Sequence, residues 1–414
     1  MINNNDVKMI APILFQPQEL NPREDDHRQR EDEVQSLRID ILKHFQSLGL
    51  PANLEESTST VSKEAIRTSH RLQKLEIFQH EREALAPYWE HLLTYFANGS
   101  EVQPNLINPE LIPVISGDET GYLFRMAALL WSVPVSKGYG RRMRYLVLDH
   151  SNGKLIGIFA LGDPVFNLNA RDSWIGWNVN DRKERLVHMM DAYVVGAVPP
   201  YSQILGGKLV ASLIGSEEIS RDFTNKYSQS EGIISKQHKT ARLALVTVTS
   251  ALGRSSLYNR LKLTSVDEHN EKQPLVELLK IGSTRGYGHF HLSNSLFDRL
   301  RELLVEAKHP YASGHKYGEG PNWRWRVIRV GLKEIGLDED LIRHGIIREV
   351  YAMPMATNFR EFLCGETSDI NLHRPTAIEI SKTALDRWVL PRALREPEYR
   401  TFRRSTIEEL MHQE

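Results

Sequence analysis

Apolar side chains return at helical spacing from Val34 through Leu37, Ile41, Leu42 and Phe45, and Gly49 with Pro51 stops the run. A second helical stretch covers about 62–97, with Ser62 as its cap and Glu, Lys and Arg on its outer face. Pro87 divides that stretch and Asn98-Gly99 ends it. Ahead of both lies NPREDDHRQREDE, a mixed-charge run with little to bury. Residues 1–33 are therefore expected to be a mobile charged leader, and 34–111 a helical arm.

The texture changes near residue 112. IPVIS reads as a short strand, and Asp118 is placed to cap the helix ETGYLFRMAALLWSV. RMRYLVLD and LIGIFALG follow, separated by HSNGK; Asn-Gly between two apolar runs is a strong hairpin signal. Next come a basic helix (NDRKERLVHMM), the strand DAYVVGAV, a helix opened by Gly-Gly-Lys, the strand ARLALVTVTS and a helix in SSLYNRLKL. Further strands are expected near 276–282 and 346–353, with helices at about 293–307 and 322–336 between them. This alternation predicts one α/β layer, with no internal repeat.

Composition narrows the classes. Of 414 residues, 41% are hydrophobic and 25% charged, and the formal net charge is -1, which excludes a globally basic nucleic-acid binder but not a local basic groove. Cys364 is the single cysteine, so neither an intramolecular disulfide framework nor a Cys-rich zinc site is available. The first residues lack a basic start followed by an apolar core, and no run approaches the roughly 18 apolar residues of a membrane span. A cytoplasmic protein without membrane contact is expected.

Residues 194–213, VVGAVPPYSQILGGKLVASL, pose the sharpest chemical question. Ser202 stands where a Walker loop needs its first glycine and Leu209 follows Lys208, so that motif is absent; a G-x-G-x-x-G fingerprint is absent too. Two readings remain open. Gly206 and Gly207 uncover backbone N–H groups at a helix start, where Lys208 would help hold an anion, or they only let strand and helix pack closely.

Taken with the upstream hairpin and Tyr258 after the next strand, this segment resembles the Gcn5-related acyltransferase (GNAT) layout. The resemblance implies a GNAT-like mixed sheet with flanking helices and a coenzyme A-type cofactor held by a Gln/Arg-x-x-Gly-x-Gly/Ala loop. Gln203 and Gly206 match that loop, Gly207 takes its free position, and Lys208 stands where its final small residue belongs. Tyr258 matches the general-acid position; otherwise it is an amphipathic ring packed under the sheet.

Three longer stretches are more specific: RMRYLVLDHSNGKLIGIFALGDPVFNLNARDSWIGWN, YGEGPNWRWRVIRVGLKEIGL and HGIIREVYAMPMATNFREFLCGE. With the segments between them they cover roughly 110–365 and resemble the DruA proteins of the Druantia anti-phage defence system. That resemblance implies a defence role beside other Druantia proteins, including a helicase-like partner. It brings no settled reaction and no catalytic residues.

Among candidate sites, SGHKYGEGPNWRWRVIRV points to DNA or RNA, because arginine forks onto phosphates and an indole can stack on an unpaired base. It offers Lys316, Trp323, Arg324, Trp325, Arg326 and Arg329; the bland alternative is an amphipathic helix with Trp323 partly buried. Arg285 lies in a Gly-rich stretch, GSTRGYGHFHLS, expected as a phosphate-contacting turn; its His289 and His291 lack further ligands, so no metal is expected. Arg171 and Asp172, near Trp174 and Trp177, are expected in a loop at the rim of a cleft, and His344 with Arg348 ahead of an apolar strand. The basic cluster GRRMR reads as a solvated strand entry. The core is drawn over 112–365 and a C-terminal extension over 366–414, whose DRWVLPRALREPEYRTFRR is basic enough to meet a partner. The primary functional expectation is a defence component engaging nucleic acid. The alternatives are an acyltransferase on nucleic acid or protein, and a non-catalytic scaffold for other defence proteins.

Overall fold

The computed structural model describes residues 22–47, 63–135, 140–229, 240–251, 253–266, 272–287, 292–312 and 321–412. Three helices come first: α1 (Pro22–Ser47), α2 (Lys63–Leu85) and α3 (Trp89–Leu93), the last two joined by a 3-10 turn at Pro87. Strand β1 (Pro109–Pro113) leads to α4 (Glu119–Ala128), where the Asp118 carboxylate accepts from Gly121 N as the cap should. The hairpin β2 (Arg142–Asp149) and β3 (Lys154–Gly162) turns at Asn152-Gly153 with Gly153 at φ 70°. Then follow α5 (Asn169–Ile175), α6 (Val179–Arg185), β4 (Met189–Ala197), α7 (Gly206–Leu213), α8 (Glu217–Tyr227) and β5 (Leu245–Thr249).

A second hairpin, β6 (Lys262–Val266) and β7 (Lys272–Glu277), precedes β8 (Leu279–Tyr287), α9 (Asn294–Glu306), α10 (Pro321–Glu334) and β9 (Arg343–Pro354). The chain closes with α11 (Phe359–Cys364), α12 (Ala377–Ala384), α13 (Leu390–Arg395) and α14 (Ile407–His412).

Seven strands form one mixed sheet in the order β1-β2-β3-β4-β5-β9-β8; β6 and β7 pair apart from it. All neighbours run antiparallel except β4 and β5, which are parallel and pair only from Met189–Leu245 to Asp191–Thr247. Beyond that point the two strands part. Helices α7, α8 and α12 cover one face of the sheet, where Tyr145 stacks on Phe159 with centroids 4.9 Å apart. Helices α2, α3 and α4 cover the other face through Phe78, Leu92 and Phe124. A separate core joins α1, through Leu37, Ile41 and Phe45, to α9 and α10. The helices expected to form one arm thus serve two cores.

Several expectations change. The charged run lies in α1 from Pro22 onward. The stretch around Arg171 is a helix rather than a loop. Residues 254–260 form turns rather than a helix, with Arg260 at φ 57°. Gly282–Tyr287 is strand rather than turn. Helix α8 was missed, although Ile219, Phe223 and Tyr227 recur every fourth residue and are buried.

Asp149, fully buried at the end of β2, ties three segments together. Its carboxylate accepts from Asn108 N (3.0 Å), Ser151 N (3.1 Å), Ser151 Oγ (2.8 Å) and the Tyr201 hydroxyl (2.9 Å). Asp149→Ala should therefore cost about 3 kcal/mol, because it strands several buried donors at once. Urea denaturation checks this, and an unchanged midpoint would contradict it.

Candidate functional site

The Gly-Gly-Lys joint begins where β4 runs into Pro199-Pro200 and one 3-10 turn, Tyr201–Ile204. Leu205 then takes a left-handed conformation, φ 63°, and α7 starts. A Cβ at Gly206 would sit 2.7 Å from the Tyr201 carbonyl oxygen, and one at Gly207 2.7 Å from Leu257 Cδ1. Both glycines thus permit close packing. Lys208 Nζ donates to the carbonyls of Leu257 (3.1 Å) and Asn259 (3.0 Å) and lies 5.4 Å from the Trp388 ring centroid. Burial pushes its ammonium below the usual lysine range, and the nearby Arg260 and Arg387 guanidiniums push the same way. Gln203 is exposed, and its backbone carbonyl accepts from Arg392 Nε at 3.4 Å.

The hydrogen bonds from Lys208 also explain why Tyr258 lies on a turn. They occupy carbonyls on either side of it that a helix would direct along its own axis. The Tyr258 ring stands 5.7 Å from Tyr351, and burial, then the Asp191 and Tyr351 charges, raise its hydroxyl well above the usual range.

Asp191 was not singled out in the sequence. It occupies the last register before β4 and β5 part, and Thr247 Oγ1 donates to its Oδ1 at 2.7 Å. The side chain keeps a little accessible surface but is hemmed in by protein, so its charge is poorly hydrated. Burial raises the carboxyl from 3.8 to about 6, against the pull of the Thr247 hydrogen bond and of Arg171. The DAYVVGAV pattern held a faint signal, a carboxylate opening an otherwise apolar strand.

Arg171 and Asp172 do not form a cleft rim. Arg171 is 0% exposed; its guanidinium donates to the carbonyls of Val165 (2.8 Å) and Phe166 (3.0 Å) and to Asp172 Oδ1 (2.8 Å). Asp172 also accepts from Arg182 Nη1 at 2.9 Å. Trp174 stacks on Phe359, and Trp177 Nε1 donates to the Leu363 carbonyl at 2.7 Å, so the two indoles fasten α5 to α11.

On α10 the aromatic side chains turn inward. Trp323 is 6% exposed, donates Nε1 to the Tyr311 carbonyl at 2.7 Å and meets Phe297 edge-on, which removes it as a stacking platform. Arg324 donates to the Leu292 carbonyl (2.9 Å) with its guanidinium over Phe297, and Trp325 is half-buried. Arg326 and Arg329 remain exposed: Arg326 lies over Tyr311, and Arg329 lies over Trp325 and pairs with Glu339 at 3.0 Å.

Arg285 lies on β8 opposite Ile347, and His344 lies on β9. Lys316, His289 and His291 fall outside the described residues. Arg348 is half-buried, and burial lowers its pKa; burial first and then Arg348 pull the His70 imidazole down to about 4. Arg141 pairs with Asp163 at 2.7 Å and donates to the Val187 carbonyl, so this member of GRRMR is tied into the fold. Among the described residues no group of three His, Cys, Asp or Glu side chains is placed to hold a metal, and no helix is long and apolar enough to cross a membrane.

Comparison with known proteins adds the family context. The profile described as "Druantia protein DruA" matches residues 60–365. A Druantia protein DruA from Escherichia coli (strain UMEA 4076-1) is 44% identical over 372 residues, 89% of this chain and 89% of that protein. No solved structure matches the chain.

The raised Asp191 carboxyl has a measurable consequence. A folded-state value above the unfolded one stabilises the fold fully below pH 3.8, and that contribution is lost as the pH rises through about 6. Asp191→Asn keeps an acceptor for Thr247 and removes this loss. Relative to wild type, the variant should gain up to about 3 kcal/mol between pH 4 and pH 7.5. Thermal melts across that range test the sign; a difference that does not change with pH would refute it.

Proposed function

The chain belongs to the DruA family, and on that premise we propose that it serves a Druantia anti-phage defence system in the cytoplasm by engaging DNA or RNA through the outward side of α10. One observation carries the reading: α10 keeps Trp323 in the core while Arg326, Arg329 and Lys333 stay exposed at i, i+3 and i+7. Such a row follows a phosphate backbone, and neutralising several phosphates releases counterions. Arg285 and Lys316, neighbours of this helix in the sequence, would extend the contact. Other Druantia proteins, including a helicase-like one, are the expected partners.

Anisotropy with single- and double-stranded oligonucleotides over a salt series tests this. Affinity should fall steeply with salt, and Arg326→Ala with Arg329→Ala should reduce the log–log slope by about 1 per arginine. A flat response at every salt concentration would end the reading.

A second reading, acyl transfer from a coenzyme A-type donor, draws on the gap where β4 and β5 part beside Asp191 and Tyr258. In a GNAT-like core the fourth and fifth strands splay at this point. Tyr258 would be the acid, and Gln203, Gly206, Gly207 and Lys208 would face the cofactor. Acetyl-coenzyme A should then raise the wild-type Tm and leave a Tyr258→Phe variant able to bind but slow to react. Absence of a shift with any coenzyme A species would remove this reading.

A further inference from the structure

The basic C-terminal stretch folds back on the segment that follows α3. Gly99 N donates to the Phe402 carbonyl at 2.8 Å, and Arg404 N donates to Asn98 Oδ1 at 2.9 Å. A Cβ at Gly99 would fall 2.0 Å from the Tyr399 carbonyl oxygen, so only glycine allows the two segments to meet this closely. Tyr399 itself is 1% exposed. The crossing is therefore fixed by backbone contacts and a buried aromatic.

Beside the crossing lies a cavity of about 780 Å³ lined by Arg400, Arg403 and Arg404. Its volume falls in the range of sites that take a small molecule, roughly 300–1,000 Å³. Among its lining residues the three arginines outnumber the one acidic residue, Glu90. Arg404 has a second neighbour, Glu101: although burial opposes it, that carboxyl is held low by hydrogen bonds from Asn98 and by the charges of Lys154 and Arg404. Among the described residues, Arg400 and Arg403 have no carboxylate partner; Arg400 Nε donates only to the Tyr399 hydroxyl, at 3.2 Å. Ser100 and Ser405 also line the cavity, as does Phe402, a residue packed against the core that holds Phe78 and Leu92.

The Arg400 and Arg403 guanidiniums, without a carboxylate partner among the described residues and with serines nearby, suit a phosphate group. We propose that this cavity binds a phosphate-bearing ligand, either a free nucleotide or the terminal phosphate of a nucleic-acid strand. The inference does not rest on α10. Arg326 and Arg329 lie on α10, whose buried side belongs to a different core, and replacing them should leave this site unchanged.

Titration calorimetry on the full-length protein tests it with ATP, AMP, inorganic phosphate and adenosine. A parallel series uses one oligonucleotide with and without a 5′-phosphate. Phosphorylated probes should bind and adenosine should not. Arg400→Ala with Arg403→Ala, or Arg403→Glu alone, should weaken binding about tenfold or more, while Arg395→Ala should not. Both arginines are exposed, so thermal melts should show these variants folded. Binding of mononucleotides without discrimination at the 5′ end assigns the site to a free nucleotide; preference for the phosphorylated strand assigns it to a nucleic-acid end. The proposal is overturned if no phosphorylated probe binds wild type, or if binding persists unchanged in both arginine variants.

Discussion

Two parallel strands that hydrogen-bond over three registers and then separate leave backbone groups that other parts of the chain must accommodate. Here the gap between β4 and β5 organises much of what surrounds it. Helix α7 enters so closely that Gly206 meets the Tyr201 backbone, and Leu257 packs onto the neighbouring Gly207. Lys208 reaches across to two carbonyls of the turn after β5, which fixes that turn and sets Tyr258 against Tyr351. Asp191, at the point of parting, is a carboxylate that burial holds well above its usual range.

Charge is buried elsewhere with more complete pairing. The Arg171–Asp172–Arg182 group has no exposed guanidinium at its centre, and Arg171 makes its bonds to two carbonyls as well as to Asp172. A buried ion group of this kind adds little net stability, yet removing one member is costly because the others lose their compensation. Its evident service is positional: it fixes the chain leaving β3 and, through the neighbouring indoles, the approach of α11. Trp177 of that motif and Trp323 of α10 are anchors of the same kind, with their N–H groups bonded to the Leu363 and Tyr311 carbonyls.

Much of this architecture was legible in the sequence. Asn152-Gly153 marked the hairpin, Asp118 capped α4, and the apolar periods of α9 and α10 fell where the helices lie. What escaped was set by tertiary contact rather than local preference. Nothing local in SSLYNRLKL announces that a lysine some fifty residues earlier will hold the carbonyls of Leu257 and Asn259. Nor does Arg-Asp adjacency say whether the pair faces water or the core. The indoles of α10 illustrate the same limit: a helical wheel places Trp323 well away from Arg329, but only packing against Phe297 and Tyr311 shows which side is inside.

The crossing between the segment after α3 and the C-terminal stretch bears on how the chain acquires its shape. Ile407 is fully buried in the same core as Phe78, Leu92 and Phe124, and Arg82 of α2 meets Glu408 at 3.5 Å. Residues more than three hundred positions apart must therefore come together before that side of the sheet is sealed. During synthesis at about 5–20 residues per second, the early helices wait tens of seconds with their apolar side open. Their surface charge has to keep them from associating with other chains until residue 407 emerges.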